Sequence, residues 1–209
     1  MKTHLPLFID VRGRKVVIFG GGAVGKRKAS LFLQYADVTV ISKDFIKEFQ
    51  HLKNKVTLIK SEEITEELIE SYVKDAFLVV PSTNSLDLNA VIERLAKEHG
   101  ALVNRVDKVS EVIVPSVINR DSITIAISTD AMSPALSRYM RERVEEVITP
   151  EFGMMAKLQN EMREILKKEI TNQHERKRIL SDILNDETIW LALGESYEKA
   201  YSLSLSYIR

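Results

Sequence analysis

The chain contains no cysteine. Disulfides, thiolate zinc sites, iron–sulfur clusters and cysteine nucleophiles are thereby excluded. Histidine is scarce as well. His4, His51, His99 and His174 are scattered, with no i, i+4 pair or other spacing that gathers metal ligands, and they read as solvated surface side chains. No run approaches the roughly 20 apolar residues that a membrane span needs, and the opening MKTHLPLFIDVRGRK lacks the apolar core of a secretory signal. A cytoplasmic protein without membrane contact or a protein-held metal is expected. An excess of one charge is missing too: 30 Lys and Arg balance 30 Asp and Glu, which removes the bulk electrostatic case for a nucleic-acid partner. No internal repeat or low-complexity stretch is present, and the Gly-Lys-Ser/Thr ending of a nucleotide-hydrolysing phosphate loop is absent.

What remains is a 209-residue chain, 44% hydrophobic and 29% charged, long enough for one large domain or a domain with a smaller appendage. Its first part alternates short β-branched runs with helical patterns, the mark of a parallel sheet covered by helices. Residues 15–20 (KVVIFG) read as a buried first strand, followed by a helix over 24–35 with Ala29, Phe32 and Leu33 facing the sheet. Further strands are expected at 38–42 (VTVIS), 56–59 (VTLI), 76–80 (AFLVV) and 102–106 (LVNRV), with helices at 65–72 and 87–99, the latter closed by Gly100. Five strands in this order describe a compact Rossmann-type unit over residues 1–110.

The pattern changes at residue 111. Residues 111–119 (EVIVPSVIN) and 122–128 (SITIAIS) read as two strands around Asn119-Arg120-Asp121, with no helix between them, hence an antiparallel hairpin. Ser133-Pro134 then opens a helix, serine at the N-cap and proline in the first turn, with the apolar stripe Leu136, Met140, Val144 and Val147. A hairpin and one helix are too small to bury a core, so residues 111–149 are expected to pack against a second subunit. Residues 150–209 read as a small, highly charged helical domain.

Chemistry enters at Gly20-Gly21-Gly22-Ala23-Val24-Gly25. Gly20 suits a tight strand-to-helix turn, Gly22 admits the backbone to a pyrophosphate, and Gly25 allows close helix–strand packing; the helix N-terminus offers N–H groups and a positive dipole end. The strand before the loop and the helix after it supply the context that makes it a dinucleotide site. An acid that binds the ribose hydroxyls is expected some 20 residues on. Ser42 stands there, with Lys43 and Asp44 beyond it. A serine beside a lysine also tolerates a 2′-phosphate, so spacing leaves NAD and NADP open, and Asp44 reads equally as a displaced ribose ligand or a solvated loop residue.

Three ordered segments, LPLFIDVRGRKVVIFGGGAVGKRKA, VPSVINRDSITIAIS and SPALSRYMRERVE, together with Asn104-x-x-Asp107 after the fifth strand, closely resemble the precorrin-2 dehydrogenase family, the N-terminal module of siroheme synthases. The likeness weakens after Pro150. It implies a homodimer that oxidises precorrin-2 to sirohydrochlorin with NAD⁺ as hydride acceptor; some members also insert Fe²⁺ to give siroheme. It implies Asp107 as the catalytic carboxylate, although a capping aspartate is the structural alternative. It places Ala23 and Val24 against the dinucleotide, Lys43 and Asp44 on its adenosine side, and Thr83 and Asn104 near the nicotinamide. The many carboxylates of precorrin-2 call for cations, and Lys108, Arg120, Arg138 and Arg141 are the candidates. Arg138 and Arg141, at i, i+3, fit an ordinary solvated helix paired with Glu142 and Glu145 equally well. Thr129-Asp130-Ala131-Met132 stands where a Ser-Gly-Gly-Thr stretch is common in the family. The competing class is a dimeric nucleotide-sensing module without catalysis, which needs no carboxylate beside the nicotinamide.

Overall fold

The computed structural model describes residues 4–208. The first three residues of the opening segment and Arg209 lie outside the described residues. The chain forms two compact units, Met1–Val114 and Pro115–Arg209. Among the described residues no helix is long and apolar enough to cross a membrane.

The first unit is α/β. Its strands are β1 (Lys15–Phe19), β2 (Asp37–Ser42), β3 (Thr57–Lys60), β4 (Leu78–Pro81) and β5 (Leu102–Val103), and its helices are α1 (Ala23–Phe32), α2 (Glu66–Val73) and α3 (Leu86–Glu98). All four strand pairings are parallel, in the order β3-β2-β1-β4-β5. Strand alternation divides the sheet's side chains cleanly. Val17, Phe19, Ile41, Val79 and Val103 pack with Ile69 and Val73 of α2 and Ile92, Leu95 and Ala96 of α3. Val16, Ile18, Val38, Val40, Leu78 and Val80 pack with Ala29 of α1 and with Phe49, Leu52 and Val56 of the β2–β3 connection. Each fully buried large side chain contributes roughly 1.5–3 kcal/mol of hydrophobic stabilisation. Local chemistry sets the helix ends. Thr65 and Ser85 cap α2 and α3 by accepting from Leu68 N–H and Leu88 N–H, and Gly100, at φ +75°, turns the chain out of α3.

Two sequence expectations change. β5 stops at Val103 instead of running to 106. Asn104 N–H still reaches the Val79 carbonyl and the ladder ends there, while Arg105 N–H bonds the Ser110 hydroxyl at 2.8 Å. The hairpin is also shorter, with β6 at Ser116–Arg120 and β7 at Ile123–Ile127. Residues 111–114 belong to the first unit: Val112 N–H bonds the Val103 carbonyl and its side chain packs into the sheet core.

The second unit contains that hairpin, α4 (Pro134–Val147), α5 (Pro150–Glu169), α6 (Gln173–Asn185), α7 (Glu187–Glu195) and α8 (Tyr197–Leu205). Its core is helical: Met155, Leu158, Met162 and Leu166 of α5 meet Ile179, Ile183, Ile189, Leu193 and Ala200. α4 starts as its sequence implies, with Ser133 accepting from Leu136 N–H and Pro134 in the first turn. Its apolar residues Leu136, Tyr139, Met140 and Val147 stay exposed.

Candidate dinucleotide and catalytic site

The loop between β1 and α1 is held by contacts that tolerate no side chain at three points, and at Gly21 a Cβ would run into the Asp44 carbonyl. Gly20 sits at φ +130°, and a Cβ there would run into the Ser82 carbonyl. A Cβ on Gly25 would run into the Gly20 carbonyl, so the first turn of α1 lies directly against the end of β1. At Gly22, by contrast, nothing lies within 4 Å of the position a Cβ would take. Gly22 is the N-cap of α1, no side chain caps that helix, and its first turn carries no acid. Exposed Ala23 and Val24 complete a turn whose N–H groups and positive dipole end face open space. These residues fit a dinucleotide's pyrophosphate.

At the end of β2, Ser42 does not act as the expected ribose acid. Its hydroxyl accepts from Gly21 N–H at 2.9 Å and donates to the Asp44 carbonyl at 2.7 Å, while Ile46 N–H bonds the Gly21 carbonyl at 3.0 Å. Ser42 therefore braces the glycine loop against the β2–β3 connection. Lys43 and Asp44 are exposed at this edge, and Asp44 lies 3.2 Å from the Lys60 ammonium. An exposed pair of this kind contributes about 0–1 kcal/mol and leaves both groups available to a ligand.

At the end of β4, Thr83 is locked by Asn89, whose amide is buried in α3. Asn89 Oδ1 accepts from Thr83 N–H at 3.0 Å and lies 2.8 Å from its hydroxyl, and Asn89 Nδ2 donates to the Thr83 carbonyl at 3.1 Å.

The end of β5 holds a charged network. Buried Asn104 accepts from Lys28 Nζ at 2.7 Å and donates to the Val112 carbonyl at 2.7 Å, so its amide joins α1 to the returning chain. Burial, with Arg27's charge adding to it, pushes the Lys28 ammonium down to about 8. Beside it, Arg105 grips Asp107 with two bonds, Nε to Oδ1 at 2.7 Å and Nη2 to Oδ2 at 2.5 Å, and donates Nη1 to Glu93 at 2.7 Å. The Arg105 side chain is 4% exposed, Glu93 13% and Asp107 21%. The guanidinium holds the Asp107 carboxyl below the usual carboxylate range, against the effect of burial. In Glu93, burial opposes ionisation but is outweighed by bonds from Lys108 and Lys97, which bring it to about 2. Asp107 is thus no helix cap. It is an ionised carboxylate fixed at the carboxyl end of the sheet, where open α/β folds bind ligands. Lys108 lies beside it, bound to Glu93 at 2.9 Å.

Arg120, Arg138 and Arg141 belong to the second unit. Arg120 is committed to backbone, with Nε on the Ile148 carbonyl and Nη1 on that of Asn119. Arg138 bonds Glu142 at 2.9 Å and remains largely exposed, and Arg141 bonds Glu145. The Arg–Glu pairing that the helix spacing allowed is formed. Thr129–Met132 is a tight turn in which Asp130 and Ala131 both take positive φ, +55° and +63°.

Sequence reasoning missed Lys28, Asn89, Glu93 and Arg105. One signal was legible: Lys28 falls on the inward stripe of α1 with Gly25, Ala29 and Phe32, where a lysine is out of place.

Fold and site together define a Rossmann-type dinucleotide-binding protein with an ordered carboxylate at the carboxyl end of its sheet. A family profile described as "Putative NAD(P)-binding" matches residues 7–116. The chain is 43% identical to a precorrin-2 dehydrogenase of Methanosarcina barkeri, over 99% of this chain and 96% of that one. It is 32% identical to the siroheme synthase of Baumannia cicadellinicola over 94% of this chain, and spans 43% of that longer protein. A solved structure, "SirC, precorrin-2 dehydrogenase", superposes with a TM-score of 0.74 at 22% identity over 98% of both chains, a likeness of fold. The chain belongs to the precorrin-2 dehydrogenase family.

Proposed function

We propose that this chain oxidises precorrin-2 to sirohydrochlorin in the cytoplasm, with NAD⁺ as oxidant, as a step of siroheme biosynthesis. The observation that carries the reading is the near full-length match to a precorrin-2 dehydrogenase, in a chain whose glycine loop is open at Gly22 and whose β5 end presents Asp107. Two hydrogens leave the substrate, one as hydride and one as a proton. NAD⁺, when bound, supplies the hydride acceptor. Gly20, Gly22, Ala23, Val24 and Gly25 hold its pyrophosphate, Lys43 and Asp44 its adenosine side, and Thr83 and Asn104 shape the nicotinamide end. Asp107 faces the macrocycle as a carboxylate, stabilises the positive charge that builds as hydride departs, and takes up the proton. In the first unit Lys108 is the cation for substrate carboxylates; in the second, Arg138 and Arg141 are the candidates, and Arg120 holds the hairpin to the end of α4.

The exposed stripe of α4 supports a homodimer formed through residues 111–149; a monomer by light scattering at micromolar concentration would contradict that. The catalytically silent nucleotide sensor finds no support among the relatives. Fe²⁺ insertion is a separate activity, tested by adding Fe²⁺ to sirohydrochlorin, and is dropped if insertion runs no faster than without protein.

The decisive experiment is anaerobic incubation with precorrin-2 and NAD⁺, following sirohydrochlorin absorbance. Turnover is expected, and Asp107→Asn should lower it by about 100-fold or more. No turnover by the purified protein sinks the dehydrogenase reading.

A further inference from the structure

We propose that Arg105, anchored by Glu93, is the positioning residue that fixes Asp107 in its working orientation and charge state. The inference rests on the catalytic role given to Asp107 above. Arg105 is spent internally: Nε and Nη2 hold the two oxygens of Asp107, Nη1 holds Glu93 of α3, and the side chain is 4% exposed. It has no face left for a substrate carboxylate. Asp107 is only half used by the clamp. A bidentate guanidinium engages one lone pair on each oxygen, so the remaining pairs, on a side chain 21% exposed, stay free to accept a proton.

The backbone supports the same geometry. Arg105 N–H bonds the Ser110 hydroxyl, and Asn104 ties Val112 to Lys28, so both ends of the segment carrying Asp107 are fastened. Glu93 acts at one remove. It draws Arg105, Lys97 and Lys108 to a single carboxylate, which sets where the guanidinium stands. The charged groups around Asp107 are therefore Arg105 and Lys108 from its own segment and Glu93 and Lys97 from α3, with Glu111 on Lys97 and Lys28 behind Asn104. Arg105 is the group whose loss lets the carboxylate both swing and protonate, and its bond is the largest influence keeping the carboxyl low.

The test measures single-turnover NADH formation from precorrin-2 between pH 4.5 and 8, with thermal melting and NAD⁺ binding as controls. Arg105→Gln should lower the rate constant by about 10- to 100-fold while leaving NAD⁺ affinity unchanged, and the acid limb that lies below this range in the wild type should move up into it. Arg105→Lys keeps the charge but not the fork, so it should return the acid limb to its original position with only part of the rate. Glu93→Ala loosens the anchor while leaving Arg105 on Asp107. Its rate should fall without an upward shift of the limb, and it serves as the deciding variant if Arg105→Gln does not fold. A folded Arg105→Gln, or in its place Glu93→Ala, with the wild-type rate and pH profile overturns the proposal. Asp107→Asn, measured alongside, separates the two claims. If it is inactive while Arg105→Gln is unaffected, the positioning role alone is wrong; if it is fully active, the catalytic role of Asp107 fails and this role with it.

Discussion

Lys28 is the residue whose environment departs furthest from what its type requires. An ammonium on the inward side of α1 is bonded to one neutral acceptor, Asn104 Oδ1, and burial outweighs that bond. Its charged form is disfavoured in the folded state, so the cost is fully present below pH 8 and is relieved as pH rises from about 8 toward 10.5, the ordinary lysine value. At about 1.4 kcal/mol per pH unit, this costs on the order of 3 kcal/mol at neutral pH, and the Asn104 bond offsets part of it. Lys28→Met should therefore melt higher than wild type at pH 7, by about 1 kcal/mol of stability, and lose that advantage by pH 10. Parallel melting curves at both pH values decide it. A gain that persists unchanged at pH 10 means that the ammonium's burial is not the cause. A costly group thus stands beside Asn104 at the carboxyl edge of the sheet, and such conflicts with local rules concentrate at functional sites.

Among elements, the β7–α4 connection stands out. Asp130 and Ala131 occupy consecutive left-handed positions that glycine adopts freely. The turn is held by Thr129, whose hydroxyl accepts from Ser133 N–H at 3.0 Å and lies 3.0 Å from the Ser137 hydroxyl. Left-handed φ costs alanine about 1–2 kcal/mol, and glycine's greater unfolded-state entropy returns roughly half of any relief. Ala131→Gly should therefore stabilise by about 0.5–1 kcal/mol, read as a rise in Tm of a few degrees. A lower Tm would mean that the alanine methyl makes contacts outweighing the strain. Elements also mark the limits of sequence reading. The succession of β1 to β4 along the chain and the helix ends at Gly100 and Ser133 were legible, because each follows from residues a few positions apart. The end of β5 was not. A strand-like run continues to Val106, but pairing with β4 stops at Val103 and the Asn104 N–H, and Arg105 N–H bonds the Ser110 hydroxyl instead, a partner five residues on that no strand period announces.

For the molecule as a whole, acid is the revealing perturbation. Glu93 in the folded chain ionises at about 2, well below the ordinary glutamate value of 4.5, and Asp107 shifts in the same direction. A depressed carboxylate contributes stability that is present above about pH 4.5 and is lost as pH falls through 2. The first unit, which contains both groups, should lose stability over that window, while the second unit depends on it much less. Hydrogen exchange or tryptophan-free probes of the sheet, compared with Trp190 fluorescence from α7, should show the sheet failing first as pH is lowered from 5 to 2.5. Glu93→Gln should flatten the sheet's pH dependence in that range. Equal acid sensitivity of the sheet in the wild type and in Glu93→Gln would remove the network from the account.

The sequence by itself determined a great deal about the phosphate end of this protein. A strand, a glycine loop and a helix start are contiguous, so their chemistry is written in spacing alone, and the family segments extended it to Asp107. Tertiary structure decided what surrounds that carboxylate. Arg105 meets Glu93 across 12 residues and Lys28 meets Asn104 across 76, and neither separation repeats a helical or strand period. It also decided that Ser42, standing where a ribose acid was expected, braces Gly21. A period predicts which face a residue occupies; only the packed sheet determines which distant charge it meets there.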